Sequence, residues 1–235
     1  YHNNTATRTC AEIRSSELYE WKPRGPRVDF ETLVDQKGEV IGYFAFTPQN
    51  PSENVAEIGV QNDLACEAVF NRVIRIGRER KIKEFFCIVP PDHPFSSFAF
   101  WKNGEQRITR SGAGMIRVLN LVSLFGKMRK EFDRRLAHSE LHNLTSTLNI
   151  VSEEGAAQLE ITEGEVTINT DITAGKYQLN ILLASLNPLA TGYKSVHDLL
   201  REGALSVKSK GVTRLIDVLF PRGFPFGGRL PLVWE

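Results

Sequence analysis

The fold is decided by the stretch Val55-Ala56-Glu57-Ile58-Gly59-Val60-Gln61-Asn62-Asp63, where a short apolar strand runs directly into the start of a helix. Asn62 or Asp63 can cap that helix, because either side chain can accept a hydrogen bond from the backbone of the first turn. Downstream, apolar residues recur at intervals of four, four and three, at Ala65, Val69, Val73 and Ile76. This spacing predicts a helix over residues 63–80 that buries one face.

The flanking segments extend this strand and helix into a larger unit. Residues 28–34 and 40–46 lie on either side of the turn Asp35-Gln36-Lys37-Gly38, and together they predict an antiparallel hairpin. Residues 56–60 would form the third strand. The remaining elements expected in this half are a strand, a short helix and two further strands, at residues 84–89, 94–101, 106–109 and 114–119.

The pattern changes near residue 119, where a longer amphipathic helix is followed by alternating strands. Helical spacing relates Leu121, Phe125, Met128, Phe132 and Leu136. Residues 144–168 alternate between apolar and polar side chains, which predicts a three-stranded meander with one apolar face. The last expected elements are a fourth strand and three short helices, at residues 177–183, 185–190, 195–201 and 212–219.

Composition excludes several classes of function. The 235 residues carry 29 basic and 28 acidic side chains, a net charge of +1, which argues against a protein that binds nucleic acid or membranes through basic charge. No window approaches the roughly 18 apolar residues of a spanning helix, and the amino end is too polar for a signal peptide. Three scattered cysteines indicate a reducing, cytoplasmic setting. Because the sequence starts without Met, we expect it to be part of a longer protein.

Side chains with catalytic or metal-binding chemistry do not form a known motif. His138 and His142 are four residues apart, but they fall where the long helix should end, so a helix-end or solvent role is favoured over zinc binding. Cys87 lies within an apolar run, which favours a buried, inert thiol. The arginines on the far side of the 63–80 helix are interpreted as a solvated face rather than a phosphate site. No metal site and no active site are therefore predicted from these residues.

The order of segments resembles the core of the GNAT acetyltransferase superfamily, in which a hairpin, a strand, a capped helix and a further strand follow one another. In that superfamily a Q/R-x-x-G-x-G/A loop places backbone N–H groups around the pyrophosphate of acetyl-CoA at a helix N-terminus. The matching stretch here is Gln61-Asn62-Asp63-Leu64-Ala65-Cys66. Gln61 fits, whereas Leu64 and Cys66 replace the small residues, and Asp63 adds a negative charge. The resemblance is thus to a GNAT shape without its cofactor loop.

The whole chain is similar to the C-terminal two-thirds of acetyltransferases of the enhanced intracellular survival protein type. The likeness is carried by five stretches in the same order: Pro90-Pro91-Asp92-His93-Pro94, residues 114–119, residues 159–166, residues 190–196 and Leu219-Phe220-Pro221. It implies a mixed α/β and α+β fold with a degenerate GNAT-like domain over residues 1–113. A sterol-carrier-protein-like domain, a sheet packed with helices, would follow over residues 114–235.

The resemblance also implies a function that is completed outside this chain. A missing N-terminal GNAT domain would bind acetyl-CoA and transfer its acetyl group to an amine, so no cofactor is expected in this fragment, and alone it is expected to be inactive. The α-carboxylate of Glu235 would act as the base in that domain. The resembling proteins form homo-oligomers. The acceptor amine stays open between aminoglycosides, protein lysines and small polyamines.

Two functions of other classes are alternatives to this interpretation. The apolar face of the meander, covered by the long helix, could enclose a lipid or another apolar ligand, as binding pockets are mostly apolar. A filled core explains the same pattern and is favoured, because periodicity does not distinguish a cavity from packing. The second alternative is a domain that serves assembly alone.

Overall fold

The computed structural model describes residues 28–47, 54–108, 116–205, 207 and 210–225 of the chain. These residues form two compact units. The first holds the described residues up to 108 together with residues 224 and 225, and the second holds those from 116 to 223. The predicted boundary between residues 113 and 114 stays a prediction, because residues 109–115 lie outside the described part.

The first unit is a four-stranded mixed sheet with two helices. Its strands are β1 (Asp29–Val34), β2 (Val40–Phe46), β3 (Asn54–Val60) and β4 (Phe86–Cys87), in the order β1-β2-β3-β4. The first three strands are antiparallel, which confirms the predicted hairpin, and β4 runs parallel to β3. The helices are α1 (Asp63–Arg80) and α2 (Pro94–Trp101), both within the bounds predicted for them.

Helix α1 covers one face of this sheet. The four apolar positions that predicted the helix are all buried, and they pack with Phe44, Ile58 and Val60 of the strands. Asn62, rather than Asp63, is the N-cap: its side chain accepts a hydrogen bond from the N–H of Ala65 at 2.9 Å.

The second unit is a four-stranded sheet in the order β7-β6-β5-β8. Strands β5 (Ser146–Ser152), β6 (Gly155–Thr162) and β7 (Glu165–Asn169) form the predicted antiparallel meander, and β8 (Tyr177–Asn180) pairs parallel with β5. The connection from β7 to β8 therefore crosses the sheet from one edge to the other.

Four helices surround this second sheet: α3 (Leu121–Ala137), α4 (Leu183–Ala190), α5 (Val196–Arg201) and α6 (Lys210–Leu219). All four were predicted, to within two residues at most boundaries. The core lies between α3, the apolar face of the sheet and the three short helices. Arg135 of α3 donates to the carbonyl oxygen of Leu219 at 2.5 Å, which satisfies a backbone acceptor at the end of α6.

Among the described residues, two strand predictions were wrong and a third strand is shorter than predicted. The run at 84–89 forms only the two-residue β4, because Pro90 and Pro91 have no N–H to continue the pairing. Residues 106–108 are not a strand: Gln106 bonds instead to Ser96 and to the carbonyl of Pro91. Residues 116–119 are also irregular. The N–H of Val118 donates to the side chain of Asn187 at 3.1 Å rather than to a neighbouring strand.

None of the described helices has both the length and the apolar composition needed to cross a bilayer.

Candidate functional site

The junction of β3 and α1 is the position at which the resemblance would place an acetyl-CoA pyrophosphate. Gln61 fixes this junction to β2, because its N–H donates to the carbonyl of Ile41 at 3.0 Å and its side-chain amide donates to that of Val40 at 2.9 Å. Asn62 then caps α1 by accepting from Ala65. The junction is thus a well-ordered turn from strand to helix.

The residues at this junction do not fit a pyrophosphate. Leu64 occupies the first glycine position with 71% of its surface exposed, so its side chain stands where a phosphate would approach the backbone. The Ala65 N–H belongs to the first turn, where backbone donors have no partner within the helix, but it already donates to the side chain of Asn62. Asp63 adds a negative charge in the first helical turn, where it offsets the positive end of the helix dipole.

Cys66, at the second small-residue position, points away from any approaching ligand. Its side chain is completely buried among the core residues between α1 and the sheet. Burial, and secondarily the charge of Asp63, raises the pKa of the Cys66 thiol. A buried neutral thiol is a packing residue, so we assign Cys66 to the core.

A polar pair that the sequence analysis missed lies where β3 and β4 part. The two strands pair only at Asn54 and Val55, and the N–H of Ile88 closes the contact by donating to the carbonyl of Val55 at 2.8 Å. Glu57, two residues further along β3, is only 6% exposed and accepts a hydrogen bond from the hydroxyl of Tyr43 at 2.5 Å. In the sequence, this pair could have been suspected from Glu57, because it is the single carboxylate inside the apolar run 55–60.

The ring of Tyr43 lies against Gly59 of β3. A Cβ atom at Gly59 would stand 2.2 Å from Cε1 of Tyr43, so only glycine leaves room for the ring at this pair of strand positions. The aromatic ring and the hydroxyl together connect β2 to β3 on the face of the sheet opposite α1. Chemically, the pair is a phenol that donates a hydrogen bond to a carboxylate.

The arginine face of α1 is occupied by contacts within the first unit. Arg72 forms two hydrogen bonds to the carboxylate of Glu31 on β1, at 2.5 and 2.6 Å, which raises the pKa of the guanidinium. Arg75 lies 3.8 Å from Glu79, and Arg80 lies 5.1 Å above the ring of Phe46. These contacts within the unit agree with the prediction that the arginines form an ordinary helix face rather than a phosphate site.

The other residues singled out in the sequence have structural positions. His138 is the C-cap of α3, and its Nδ1 lies 2.7 Å from the carbonyl oxygen of Arg134; His142 contacts the carbonyl of Ser139 at 3.1 Å. Within the described ranges, no three potential ligands gather into a metal site. Burial raises the pKa of Cys87 to about 12, as expected for an inert thiol. Glu235 lies outside the described residues.

The apolar face of the second sheet meets a tightly filled interior. The rings of Phe125 and Phe132 on α3 and of Phe220 after α6 contact one another, with centroids 5.3 to 6.1 Å apart. All three rings are at most 1% exposed. Side chains thus fill the space between α3 and the sheet, as the filled-core interpretation expected.

A groove lies at the surface of the second unit, at the end of β5 and β8. It has a volume of about 350 Å³, and its apolar lining comes from Val151, Ile181, Leu182 and Leu205. Glu153 forms one rim, where its carboxylate accepts from the N–H of Leu183 at 2.8 and 2.9 Å and thereby caps α4. Leu182 is 64% exposed, so this groove leaves apolar surface in contact with water.

Solved structures with a similar fold include two bacterial proteins. A conserved protein from Enterococcus faecalis, described as a probable N-acyltransferase, matches 97% of this chain with a TM-score of 0.61 and 14% identity; the match covers 56% of that protein. A GCN5-related N-acetyltransferase from Anabaena variabilis matches 86% of the chain with a TM-score of 0.50 and 12% identity, and the match covers 50% of that protein. The chain therefore spans about half the length of these two solved structures.

A smaller solved structure matches part of the chain. Sterol carrier protein 2 like 2 from Aedes aegypti covers 41% of this chain with a TM-score of 0.31 and 13% identity, and 96% of that protein is matched. No protein-family model and no curated protein sequence matches the chain. The chain therefore shares a mixed α/β fold with the probable N-acyltransferase over 97% of its length and with the GCN5-related N-acetyltransferase over 86% of its length.

Proposed function

We propose that this chain is the C-terminal part of an acetyl-CoA-dependent N-acetyltransferase, in which it supports an active site carried by a separate N-terminal GNAT domain. The fold of the Enterococcus faecalis and Anabaena variabilis proteins supports this proposal, since both extend well beyond the part that this chain matches. The partners that follow are that N-terminal domain, further copies of the same protein, and a substrate amine.

The observation that carries the proposal is the junction of β3 and α1. An exposed Leu64, an Asp63 in the first helical turn and an Asn62 that already occupies the Ala65 N–H make a poor site for a pyrophosphate. The cofactor would accordingly be held outside this chain. The first unit then serves as a scaffold rather than as a second catalytic domain.

If the natural chain ends at Glu235, the α-carboxylate of that residue is the group of this chain that we propose to act in the reaction. An acetyl group is transferred only to an uncharged amine, so a carboxylate beside the ammonium form can accept one proton from it. We also propose a cytoplasmic location, since Cys66 and Cys87 are both free thiols, as is usual in a reducing compartment.

Calorimetry with acetyl-CoA tests the proposal on this chain and on the full-length protein in parallel. We expect heat of binding from the full-length protein and none from the chain alone. Binding by the unmodified chain would refute the assignment of its first unit as a scaffold.

A ligand-binding module is the second candidate, and the groove of the second unit is the observation that favours it. Its volume and its apolar lining suit part of a fatty acyl chain. Native mass spectrometry after incubation with palmitate tests this candidate, with the variant Leu182→Glu as the control. A mass increase that the variant lacks would support the groove as the site, and a ligand-free mass in both proteins would exclude it.

A further inference from the structure

The floor of the groove in the second unit is fixed by the end of the parallel pair β5 and β8. Val151 pairs with Asn180 in the register of these strands, and the N–H of Ile181 then donates to the carbonyl of Val151 at 2.9 Å. This bond carries the pairing one residue past the end of β8. The floor is therefore a hydrogen-bonded part of the sheet, and Val151 and Ile181 make it apolar.

One wall of the groove is the chain that leaves α5. The N–H of Gly203 donates to the carbonyl of Leu200 at 3.1 Å, and the N–H of Ala204 donates to that of Leu199 at 2.9 Å. These two bonds close the end of the helix. Gly203 has a φ of +68°, and a Cβ atom there would meet nothing within 4 Å. The wall therefore has a fixed backbone and leaves open space at Gly203.

Glu153 is the only charged side chain among the described residues that line the groove. Both of its oxygens accept from the N–H of Leu183, but a carboxylate has room for about four hydrogen bonds, so it can take further donors. Arg117 pairs with the neighbouring Glu154 at 2.5 Å, and within the described part of the chain Glu153 forms no ion pair. The rim of the groove thus carries a negative charge that is open to a cationic ligand.

The start of α4 offers little to an anionic group at the same rim. Helix N-termini attract anions through backbone donors that lack a partner within the helix. Here the N–H of Leu183 already donates to Glu153. The N–H groups of Ser185 and Leu186 both donate to the carbonyl of Leu182, at 2.9 and 2.8 Å. A carboxylate head group would therefore meet occupied donors and the negative charge of Glu153.

We propose that the groove binds an aliphatic molecule that carries a protonated amine, with its chain against the apolar lining and its ammonium group at Glu153. This inference rests on the second candidate for the proposed function, a ligand-binding module, and it names the head group that the groove prefers. A volume of about 350 Å³ holds on the order of ten methylene groups, at roughly the 30 Å³ each that a water molecule occupies. The bound chain would also cover the exposed side chain of Leu182.

The test compares three ligands that share one aliphatic chain, namely decylamine, decanol and decanoate, by calorimetry on the whole chain at neutral pH. Because the three ligands bury the same apolar surface, their affinities differ through the head group alone. We expect decylamine to bind about two- to fivefold more tightly than decanol, and decanoate to bind more weakly than decanol by a similar factor. Leu182→Ala should weaken the binding of all three alike, because this side chain contacts only the aliphatic part.

Glu153→Gln separates the charge of the rim from its shape. Glutamine keeps an oxygen that can accept from the N–H of Leu183, so α4 stays capped. Decylamine should then bind about two- to fivefold more weakly and decanoate more tightly by a similar factor, with decanol unchanged. A damaged fold would instead weaken all three ligands. Glu154→Gln is the control and should leave all three affinities unchanged, because Glu154 pairs with Arg117 and does not line the groove.

The outcomes distinguish the inference from the candidate function on which it rests. Equal affinities of the three ligands, all weakened by Leu182→Ala, would overturn the preference for an amine and leave the groove as a ligand site. Equal responses to Glu153→Gln and Glu154→Gln would overturn the role of Glu153 in the same way. Binding that Leu182→Ala does not change, or no binding by any of the three ligands, would end both the inference and the ligand-binding candidate.

Discussion

The close contact between Gly192 and the segment at residues 221–223 leads to a stability prediction whose size follows from the geometry. In Gly192→Ala the new residue must adopt a φ of +74°, which destabilises an L-residue by about 1–2 kcal/mol. Its Cβ also meets two backbone atoms at 3.0 and 3.1 Å. Relieving that contact requires the segment at residues 221–223 to shift. The shift breaks the hydrogen bond from the Gly223 N–H to the Gly192 carbonyl, which destabilises the unit by about 0.5–1.5 kcal/mol more.

The expected destabilisation of the second unit is thus about 1.5–3.5 kcal/mol for Gly192→Ala and about 1–2 kcal/mol for Gly203→Ala. Both variants lower the conformational entropy of the unfolded chain to the same extent, so that effect cancels in the comparison. The difference of about 1 kcal/mol isolates the contact with the segment.

Native-state hydrogen exchange is the suitable assay, because it reports the free energy of opening separately for each part of the protein. The amides of β5 and β6 measure the opening of the second unit, and those of β2 and β3 serve as an internal control that neither variant should change. Exchange from the Gly223 amide should accelerate in Gly192→Ala alone. Equal destabilisation by the two variants, with the Gly223 amide still protected, would refute the reasoning.

Three further predictions concern contacts elsewhere in the chain. Tyr43→Phe removes the hydroxyl that donates to Glu57 and leaves a buried carboxylate short of one donor, so the urea midpoint should fall by the equivalent of about 1.5–3 kcal/mol. An unchanged midpoint would show that this bond does not hold β2 to β3. Phe132→Ala, in the filled interior, should destabilise by about 3–5 kcal/mol, whereas Phe100→Ala on the surface should stay within about 0.5 kcal/mol in the same thermal melts. Glu131→Gln tests pH dependence: hydrogen bonds from two arginines lower the pKa of Glu131 below its unfolded value of about 4.3, so its contribution is complete above that pH and is lost as the pH falls further. The midpoint of the unmodified protein should therefore fall more steeply than that of Glu131→Gln between pH 5 and pH 3, and parallel curves would contradict the assignment.

The elements that the sequence predicted well are those whose residues carry their own periodic pattern. Helix α3 follows from Leu121, Phe125, Phe132 and Leu136, all of which are buried on one face of the helix. Local spacing contains this information, since residues three and four apart share a helix face whatever lies next to them. The meander was predicted for the same reason, because alternation fixes which side of a strand is apolar.

The features that were missed depend on which segments meet in space. Alternation placed Asn149 on the polar face of β5, yet it is only 5% exposed, because its side-chain amide donates to the carbonyl of Thr173 at 2.9 Å. Gln158 of β6 is buried beneath the same segment and bonds to Asn149 at 2.8 Å. The Tyr43–Glu57 bond likewise depends on strand register, which a single strand pattern does not contain.

The connection from β7 to β8 has a consequence for how copies of this protein can assemble. Residues 170–176 cross the outer face of the second sheet at its centre, where Thr173 bonds to both buried amides. Two sheets that stack face to face stand about 10 Å apart, a gap in which side chains alone interdigitate. A backbone segment already occupies that layer here, so two second units are prevented from stacking through their sheets. An oligomer built on this unit would therefore use the crossing segment, the helices or the strand edges rather than a bare sheet face.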